Sequence, residues 1–268
     1  MFKEYYGFSK NPFDKQSLSE KDAFLSKDHK EMISCLSYLN KLRGIGVFTS
    51  DPGFGKTYAI RCFTKSLDRN LNEVAYLTMS TVSVVDFYRQ FCNALGIDAP
   101  FGKAAMFRAI QERLHHLFKE KRKPLLLILD EAQKLSPAIL NDLKMIMNHD
   151  FDSINCFSIA LAGEKHLNTN LEKPPQEALR QRIVISYNFE GLSDDETEAY
   201  LVHKLQIAGA TPSILGEGTL AAITAYAGGC PRLVDNLMTQ AFMLGAQLNK
   251  PALDTDVIMA AVNNLALS

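Results

Sequence analysis

Hydrophobic residues in the first two thirds of the chain form short, nearly continuous runs separated by longer segments with helical periodicity. The runs are strand-sized and lie at 45–49, 74–77, 125–129, 157–162 and 183–185. Continuous apolar strands that alternate with helices are typical of a parallel sheet covered on both faces. The pattern therefore predicts an α/β domain built on a parallel five-stranded sheet.

Helix-capping residues bound the segments between these runs. Ser83 can cap a helix that runs to Leu95, and Ser136 with Pro137 opens another through Met147. Both signals support the alternation of strands and helices.

Beyond Ile185 only helical signals remain. Ser193-Asp194-Asp195-Glu196 forms a capping box whose helix ends near Gly209, Pro231 stands at a helix start, and Asp254 or Thr255 begins the last helix. We therefore predict a nucleotide-binding α/β core over 1–190 and a small all-helical lid over 191–268.

Composition and cysteine use favour a globular protein of a reducing compartment. The chain has 268 residues, 47% of them hydrophobic, and its five cysteines lack metal-ligand spacing. The apolar runs are far shorter than the roughly 20 residues of a membrane helix, and the N-terminus shows no export signal. We expect a cytoplasmic protein with no membrane partner.

A phosphate-binding loop (P-loop) follows the first strand. Glycines let backbone N–H groups surround phosphates at a helix N-terminus, Lys56 can reach the β- and γ-phosphates of ATP, and Thr57 can bind Mg²⁺. Ser50 replaces the usual first glycine. The predicted cofactor-binding residues of this segment are Ser50, Asp51, Pro52, Gly53, Phe54, Gly55, Lys56, Thr57 and Tyr58.

A second motif places two carboxylates at the end of the strand predicted at 125–129. Ligands bind at the carboxyl ends of strands in open α/β sheets. Asp130 is predicted to hold Mg²⁺, and Glu131 is predicted to act as the general base that activates water. The spacing of about 75 residues from Lys56, with one strand between, fits a P-loop fold.

Together these motifs make the chain similar to the ExeA-type AAA+ ATPases. The resemblance covers nearly the whole chain and rests on the P-loop, Asp130-Glu131-Ala132-Gln133, Asn148, Leu179-Arg180-Gln181-Arg182-Ile183 and Gly229-Cys230-Pro231-Arg232, with Tyr6-Gly7-Phe8 and Asn11-Pro12-Phe13 near the start. It implies ATP bound between core and lid.

The resemblance also implies roles for three arginines. Arg182 or Arg180 would be an arginine finger, donated to the γ-phosphate of a neighbouring subunit in an ATP-dependent ring or filament. Arg232 would be the sensor-2 residue of the lid. For sensor 1, both Ala162-Gly163-Glu164 and Asn148 stay open, and Tyr6, Phe8 and Phe13 either border the adenine or pack in a core.

Charge is uneven along the chain and bears on the partner. Residues 1–134 carry 21 Lys and Arg against 15 Asp and Glu, whereas residues 135–268 carry 8 against 15. The asymmetry suits a DNA-binding face, with candidates at Lys103, Arg108, Arg113 and 119–123, and equally suits head-to-tail packing of subunits.

The resemblance leaves several tasks open. Secretion members of the family resemble this core fused to a membrane helix and a cell-wall-binding domain. A stand-alone form is similar to the TnsC, TniB and IstB regulators of transposition, which implies double-stranded DNA and a transposase as partners. We favour the hypothesis that the chain is an ATP-dependent DNA-binding regulator of transposition. The alternative is an assembly ATPase that acts on a protein partner in secretion or surface-structure biogenesis. A nucleotide-gated interaction module with little hydrolysis is a third.

Overall fold

Two compact units make up the chain. The structure is a computed structural model that describes residues 2–14, 20–80, 83–148 and 155–266. The sheet unit comprises the described residues of Glu31–Pro52 and Lys56–Phe189, and the helical unit those of Met1–Lys30, Gly53–Gly55 and Glu190–Ser268. This division differs from the predicted one because the first 30 residues and the tip of the P-loop fall in the helical unit.

A parallel sheet forms the centre of the sheet unit. Its strands are β1 (Ile45–Ser50), β2 (Glu73–Thr78), β3 (Leu125–Asp130), β4 (Phe157–Glu164) and β5 (Ile183–Asn188). They stand in the order β2-β3-β4-β1-β5, and each neighbouring pair is parallel. Every residue of β1 and β3 is buried, as expected for strands covered on both faces. The predicted α/β class with five parallel strands is confirmed.

Helices follow the strands and account for most of the helical unit. In chain order they are α1 (Phe2–Tyr5), α2 (Lys27–Leu42), α3 (Lys56–Ser66), α4 (Val84–Ala94), α5 (Lys103–His115), α6 (Pro137–Met147), α7 (His166–Glu172), α8 (Glu177–Arg180), α9 (Asp194–Ile207), α10 (Thr219–Ala227), α11 (Pro231–Gln247) and α12 (Thr255–Ala266). A π-helical turn, His116–Glu120, continues α5. The predicted caps at Ser83 and Ser136 and the capping box of Ser193 with Glu196 are confirmed.

The N-terminal segment contributes to the core of the helical unit. The rings of Phe2, Phe8 and Phe13 lie 5.0–6.3 Å from the ring of Phe242 on α11. Of the two roles predicted for the N-terminal aromatic residues, the structure shows core packing.

A buried ion pair lies beside these rings. Lys204 of α9 lies 3.2 Å from Asp235 of α11 and donates to the Pro12 carbonyl at 2.9 Å, which ties the N-terminal segment to two helices. In the described parts of the chain, no helix is long and apolar enough to cross a bilayer.

The sheet fixes where the polar residues of the sheet unit meet. β1, β3 and β4 are parallel and adjacent, so their carboxyl ends share one edge. The last residues of these three strands are Ser50, Asp130 and Glu164. The P-loop and the predicted pair of carboxylates therefore start from the same edge.

Candidate nucleotide-binding site

The predicted P-loop forms the turn between β1 and α3. Gly53 and Gly55 have φ angles of +93° and +97°, a conformation that L side chains rarely adopt. A Cβ atom on Gly53 would lie 2.9 Å from the Cβ of Arg232. Around the corresponding position on Gly55, no described atom beyond its chain neighbours lies within 4 Å. The loop thus needs both glycines, and Gly55 borders open space.

Lys56 folds back onto the first residue of the loop. Its Nζ donates to Ser50 Oγ at 2.5 Å and to the Ser50 carbonyl at 3.3 Å. Ser50 is fully buried, and its hydroxyl donates to the Asp51 carbonyl at 2.6 Å. The serine that departs from the P-loop pattern therefore anchors the ammonium group.

Electrostatics at Lys56 act in two directions. Burial lowers the pKa of Lys56, while four carboxylates oppose this effect, namely Asp130, Glu131, Glu164 and Asp51. Burial outweighs the four acids, so negative charge from a bound triphosphate would further stabilise the protonated ammonium group.

Asp130 is buried and accepts three hydrogen bonds. Its Oδ2 accepts from Thr57 Oγ1 at 2.9 Å and from the Tyr76 hydroxyl at 2.7 Å, and its Oδ1 accepts from the Glu131 N–H at 2.9 Å. Thr57 and Asp130, predicted separately as metal ligands, are thus in direct contact.

Tyr76 is a site residue that the sequence reasoning missed. It lies on the edge strand β2, inside an apolar run where its ring suggests packing. Burial, together with the neighbouring carboxylates of Asp130 and Glu131, raises the pKa of Tyr76 to about 12, so its hydroxyl stays a donor. The sequence signal for Tyr76 is weak: it is a hydroxyl-bearing residue two positions before the last residue of β2, the end at which ligands bind.

Glu131 has an unusual backbone. Its φ of +58° and ψ of 34° place a non-glycine residue in the left-handed region, a conformation that clusters at functional sites. Its Oε2 accepts from Gln133 Nε2 at 3.0 Å and lies 3.3 Å from Lys134 Nζ. The side chain of the predicted general base thus has two polar contacts, and its residue follows the predicted metal ligand directly.

The donors present fit magnesium. Mg²⁺ prefers oxygen ligands and usually takes one or two carboxylates from a protein, with water and substrate phosphates completing its shell. Thr57 Oγ1 and Asp130 Oδ2 supply a hydroxyl and a carboxylate oxygen 2.9 Å apart. These two residues would hold the ion together with a nucleotide.

The two candidate arginine fingers have different partners. Arg180 donates to the carbonyls of Leu171 and Glu172 at the end of α7. Arg182 donates to the side chain of Asn148, Nη2 to Oδ1, at 2.5 Å. Arg180 thus binds main-chain oxygens, whereas Arg182 binds the side chain of Asn148.

Asn148 and the segment Ala162-Gly163-Glu164 are the two open candidates for sensor 1. Asn148 ends α6 and binds Arg182. At the end of β4, the Glu164 N–H donates to Gln133 Oε1 at 3.1 Å. Gln133, in the turn after β3, therefore binds the backbone at the end of β4.

Arg232 and Tyr58 complete the predicted cofactor-binding set. Arg232 lies in the first turn of α11, beside Gly53 of the P-loop tip. The Tyr58 ring lies 5.0 Å from the Arg61 guanidinium. The assignment of Tyr58 to the nucleotide-binding residues stays a prediction.

The basic residues proposed for DNA are partly neutralised by acids. Lys103 lies 2.7 Å from Asp142, and Lys123 lies 3.2 Å from Glu73. Arg108 lines an open cleft that also contains two glutamates, with lining residues Arg108, Gln111, Glu112, His115, His116 and Glu120. Around α5 the structure thus shows mixed charge.

Comparison with known proteins adds a family match and a relative. Residues 39–171 match the family model described as an AAA domain. The chain is 28% identical over 246 residues to General secretion pathway protein A of Aeromonas hydrophila, an alignment that covers 91% of this chain. It covers 44% of that relative, so the chain spans less than half of the relative's length. The ExeA-type resemblance is supported, and nothing in these matches supports the transposition branch.

Solved structures give the fold. ORC2 of Aeropyrum pernix, in its ADPNP–ADP complexes, superposes with a TM-score of 0.68 at 16% identity over 96% of this chain and 72% of that one. Drosophila ORC bound to DNA gives a TM-score of 0.69 at 12% identity over 100% of this chain and 66% of that one. The chain has the AAA+ P-loop NTPase fold.

Proposed function

We propose that this chain is an ATPase that hydrolyses ATP to ADP and phosphate and uses the cycle to act on a protein partner. The contact between Thr57 and Asp130, at 2.9 Å, carries the proposal because it joins the P-loop helix to the acidic end of β3. The AAA domain match over 39–171 supports it, since it includes both motifs.

Each side chain has a step in the reaction. The P-loop N–H groups and Lys56 bind the phosphates, and Thr57 with Asp130 holds Mg²⁺. Mg²⁺, when bound, neutralises charge that develops on the phosphate oxygens. Glu131 takes a proton from water while the water oxygen bonds to the γ-phosphorus and the bond from that phosphorus to the β-γ bridging oxygen breaks. ADP leaves with the electron pair of that bond.

Hydrolysis is tested by removing the base and keeping its shape. Glu131→Gln should bind ATP while turnover falls by about two to four orders of magnitude, because the amide accepts no proton. Phosphate release under steady-state conditions measures this, with a fluorescent ATP analogue for binding. A Gln variant as active as the parent would contradict the assignment of the base.

A protein partner is favoured by the relative's identity. The similarity to General secretion pathway protein A covers 91% of this chain, and that protein's name places it in secretion. We propose the same kind of task here, an assembly ATPase in secretion or surface-structure biogenesis. Affinity capture with the ATP-trapped Glu131→Gln variant tests it, because the trapped state should retain a partner that the Lys56→Ala variant releases.

A DNA-binding regulator of transposition is the second candidate. The excess of basic residues in 1–134 favours it, and the solved Drosophila neighbour is bound to DNA. The acids paired with Lys103 and Lys123 weigh against a uniform basic face. Fluorescence anisotropy with a labelled duplex discriminates the two. If the protein contacts DNA phosphates, its affinity for the duplex should fall steeply as the salt concentration rises. Absence of binding at low salt in every nucleotide state would rule out the role in transposition.

A further inference from the structure

The side chain of Gln133 connects two parts of the candidate site. Gln133 is only 7% exposed. The amide Nε2 donates to Glu131 Oε2 at 3.0 Å, and the amide Oε1 accepts from the Glu164 N–H at 3.1 Å. One buried amide thus links the predicted base with the backbone at the end of β4.

The space for this amide depends on Gly163. A Cβ atom at that position would lie 2.6 Å from Gln133 Oε1 and 3.2 Å from the Gln133 backbone nitrogen. Even an alanine would therefore displace the amide. Gly163 of β4 has no side chain, and the Gln133 amide occupies the space beside it.

The other contact of the same carboxylate oxygen is weaker. Lys134 Nζ lies 3.3 Å from Glu131 Oε2, but its side chain is 47% exposed, and exposed pairs contribute little. A hydrogen bond from a buried amide, whose other end is fixed to the main chain, restrains a carboxylate better than a contact with an exposed lysine. The orientation of Glu131 therefore depends mainly on Gln133.

We propose that Gln133 is the positioning residue of Glu131, and that its contact with the backbone at the end of β4 fixes the amide in place. By holding Oε2 of Glu131, the amide fixes the direction in which the second oxygen faces the attacking water. The proposal rests on the proposed ATP hydrolysis by Glu131. It adds a specific residue that sets the geometry of the base.

Substitution by an apolar side chain of similar length tests the role. Gln133→Met should lower kcat by about 10- to 100-fold, since small misplacements of catalytic groups have effects of this size. KM and the affinity for an ATP analogue should stay within about twofold, because the amide touches no predicted nucleotide-binding residue. Lys134→Ala is the matched control, because it removes the exposed contact to the same oxygen, and it should change kcat by no more than about threefold.

A double-mutant cycle separates positioning from general damage. Gly163→Ala should reproduce the loss in kcat by displacing the amide. Adding it to Gln133→Ala should then cause little further loss, because the amide that it displaces is already gone. Losses that multiply in the double variant would show that the two residues act independently and would overturn the proposal.

A nucleotide-free readout covers the case in which a variant folds poorly. In protein labelled with ¹⁵N-glutamine, the Gln133 side-chain amide is identified by its loss in Gln133→Met. Its proton resonances should shift in Glu131→Ala and stay in place in Lys134→Ala. No shift in Glu131→Ala would refute the contact.

The failures of the two proposals can be told apart. If Glu131→Gln hydrolyses ATP like the parent, the proposed base itself is wrong. If Glu131→Gln is inactive while Gln133→Met turns over ATP like the parent, hydrolysis stands and only the positioning role is wrong.

Discussion

At the scale of single residues, Asp130 organises the candidate site. It is 4% exposed and accepts hydrogen bonds from Thr57, Tyr76 and the Glu131 main chain. A buried carboxylate with three donors is held in place at little cost in desolvation. Its partners should therefore affect the metal that it is predicted to bind, in the way that outer-shell groups orient metal ligands.

Tyr76→Phe tests whether the hydrogen bond from Tyr76 to Asp130 affects magnesium binding. Removing the hydroxyl leaves Asp130 one donor short, so we expect the Mg²⁺ concentration for half-maximal ATPase activity to rise by about tenfold. A magnesium titration at saturating ATP measures it. Tyr38→Phe is the control, since that ring is 54% exposed on α2. An unchanged magnesium requirement in Tyr76→Phe would separate Tyr76 from the metal site.

Sequence patterns predicted most residues of the candidate site but not the contacts between them. The P-loop, Asp130 and Glu131 were predictable because the chemistry fixes their residue types and spacing. The role of Gln133 was not, because it follows from the left-handed backbone of Glu131 and from the missing side chain at Gly163. Tyr76 was hidden by the apolar character of its strand.

At the scale of secondary structure, buried parallel strands and capped helices made the elements predictable. Every predicted strand is present. The continuous apolar runs of β1, β3 and β4 reflect burial on both faces of the sheet, whereas the edge strands β2 and β5 are partly exposed. The location of the N-terminal segment was not predictable, because its partner Phe242 lies near the other end of the chain. Such a contact leaves no local pattern.

The buried pair of Lys204 and Asp235 anchors this segment. Lys204→Met removes a cation 3.2 Å from the Asp235 carboxylate, which is 6% exposed, and should destabilise the fold by about 3–5 kcal/mol. The double variant Lys204→Met with Asp235→Leu should regain part of this loss, because it removes both buried charges while the Tyr200 hydroxyl and the Pro12 carbonyl each lose a hydrogen bond. Urea unfolding followed by circular dichroism measures both. Equal losses in the single and double variants would contradict this account.

At the scale of the whole molecule, the predicted arginine finger makes activity depend on assembly. Arg182 is the better candidate because it binds a side chain, that of Asn148, which can change rotamer, whereas Arg180 binds main-chain carbonyls of α7. A finger acts in the site of a neighbour. Its chemistry is therefore absent from a lone subunit.

Two experiments test action between subunits. ATPase activity per subunit should rise with protein concentration, and mixing Arg182→Ala with Lys56→Ala protein should recover part of the activity. Activity should return because, at some interfaces of the mixed assembly, the intact P-loop of an Arg182→Ala subunit faces the intact Arg182 of a Lys56→Ala subunit. If both variants assemble and the mixture stays inactive, Arg182 does not act in trans.

The central claim is that ATP binds at the P-loop and is hydrolysed by Glu131, and single-turnover hydrolysis of prebound ATP tests it most directly. Enzyme in excess over radiolabelled ATP is preloaded without metal, and Mg²⁺ starts the reaction, so binding and chemistry are measured separately. We predict that Lys56→Ala binds no ATP, while Lys41→Ala, which removes an exposed lysine of α2, behaves like the parent. Glu131→Gln should bind ATP fully and form ADP about 100- to 10,000-fold more slowly. Formation of ADP by Glu131→Gln at the rate of the parent would contradict the account.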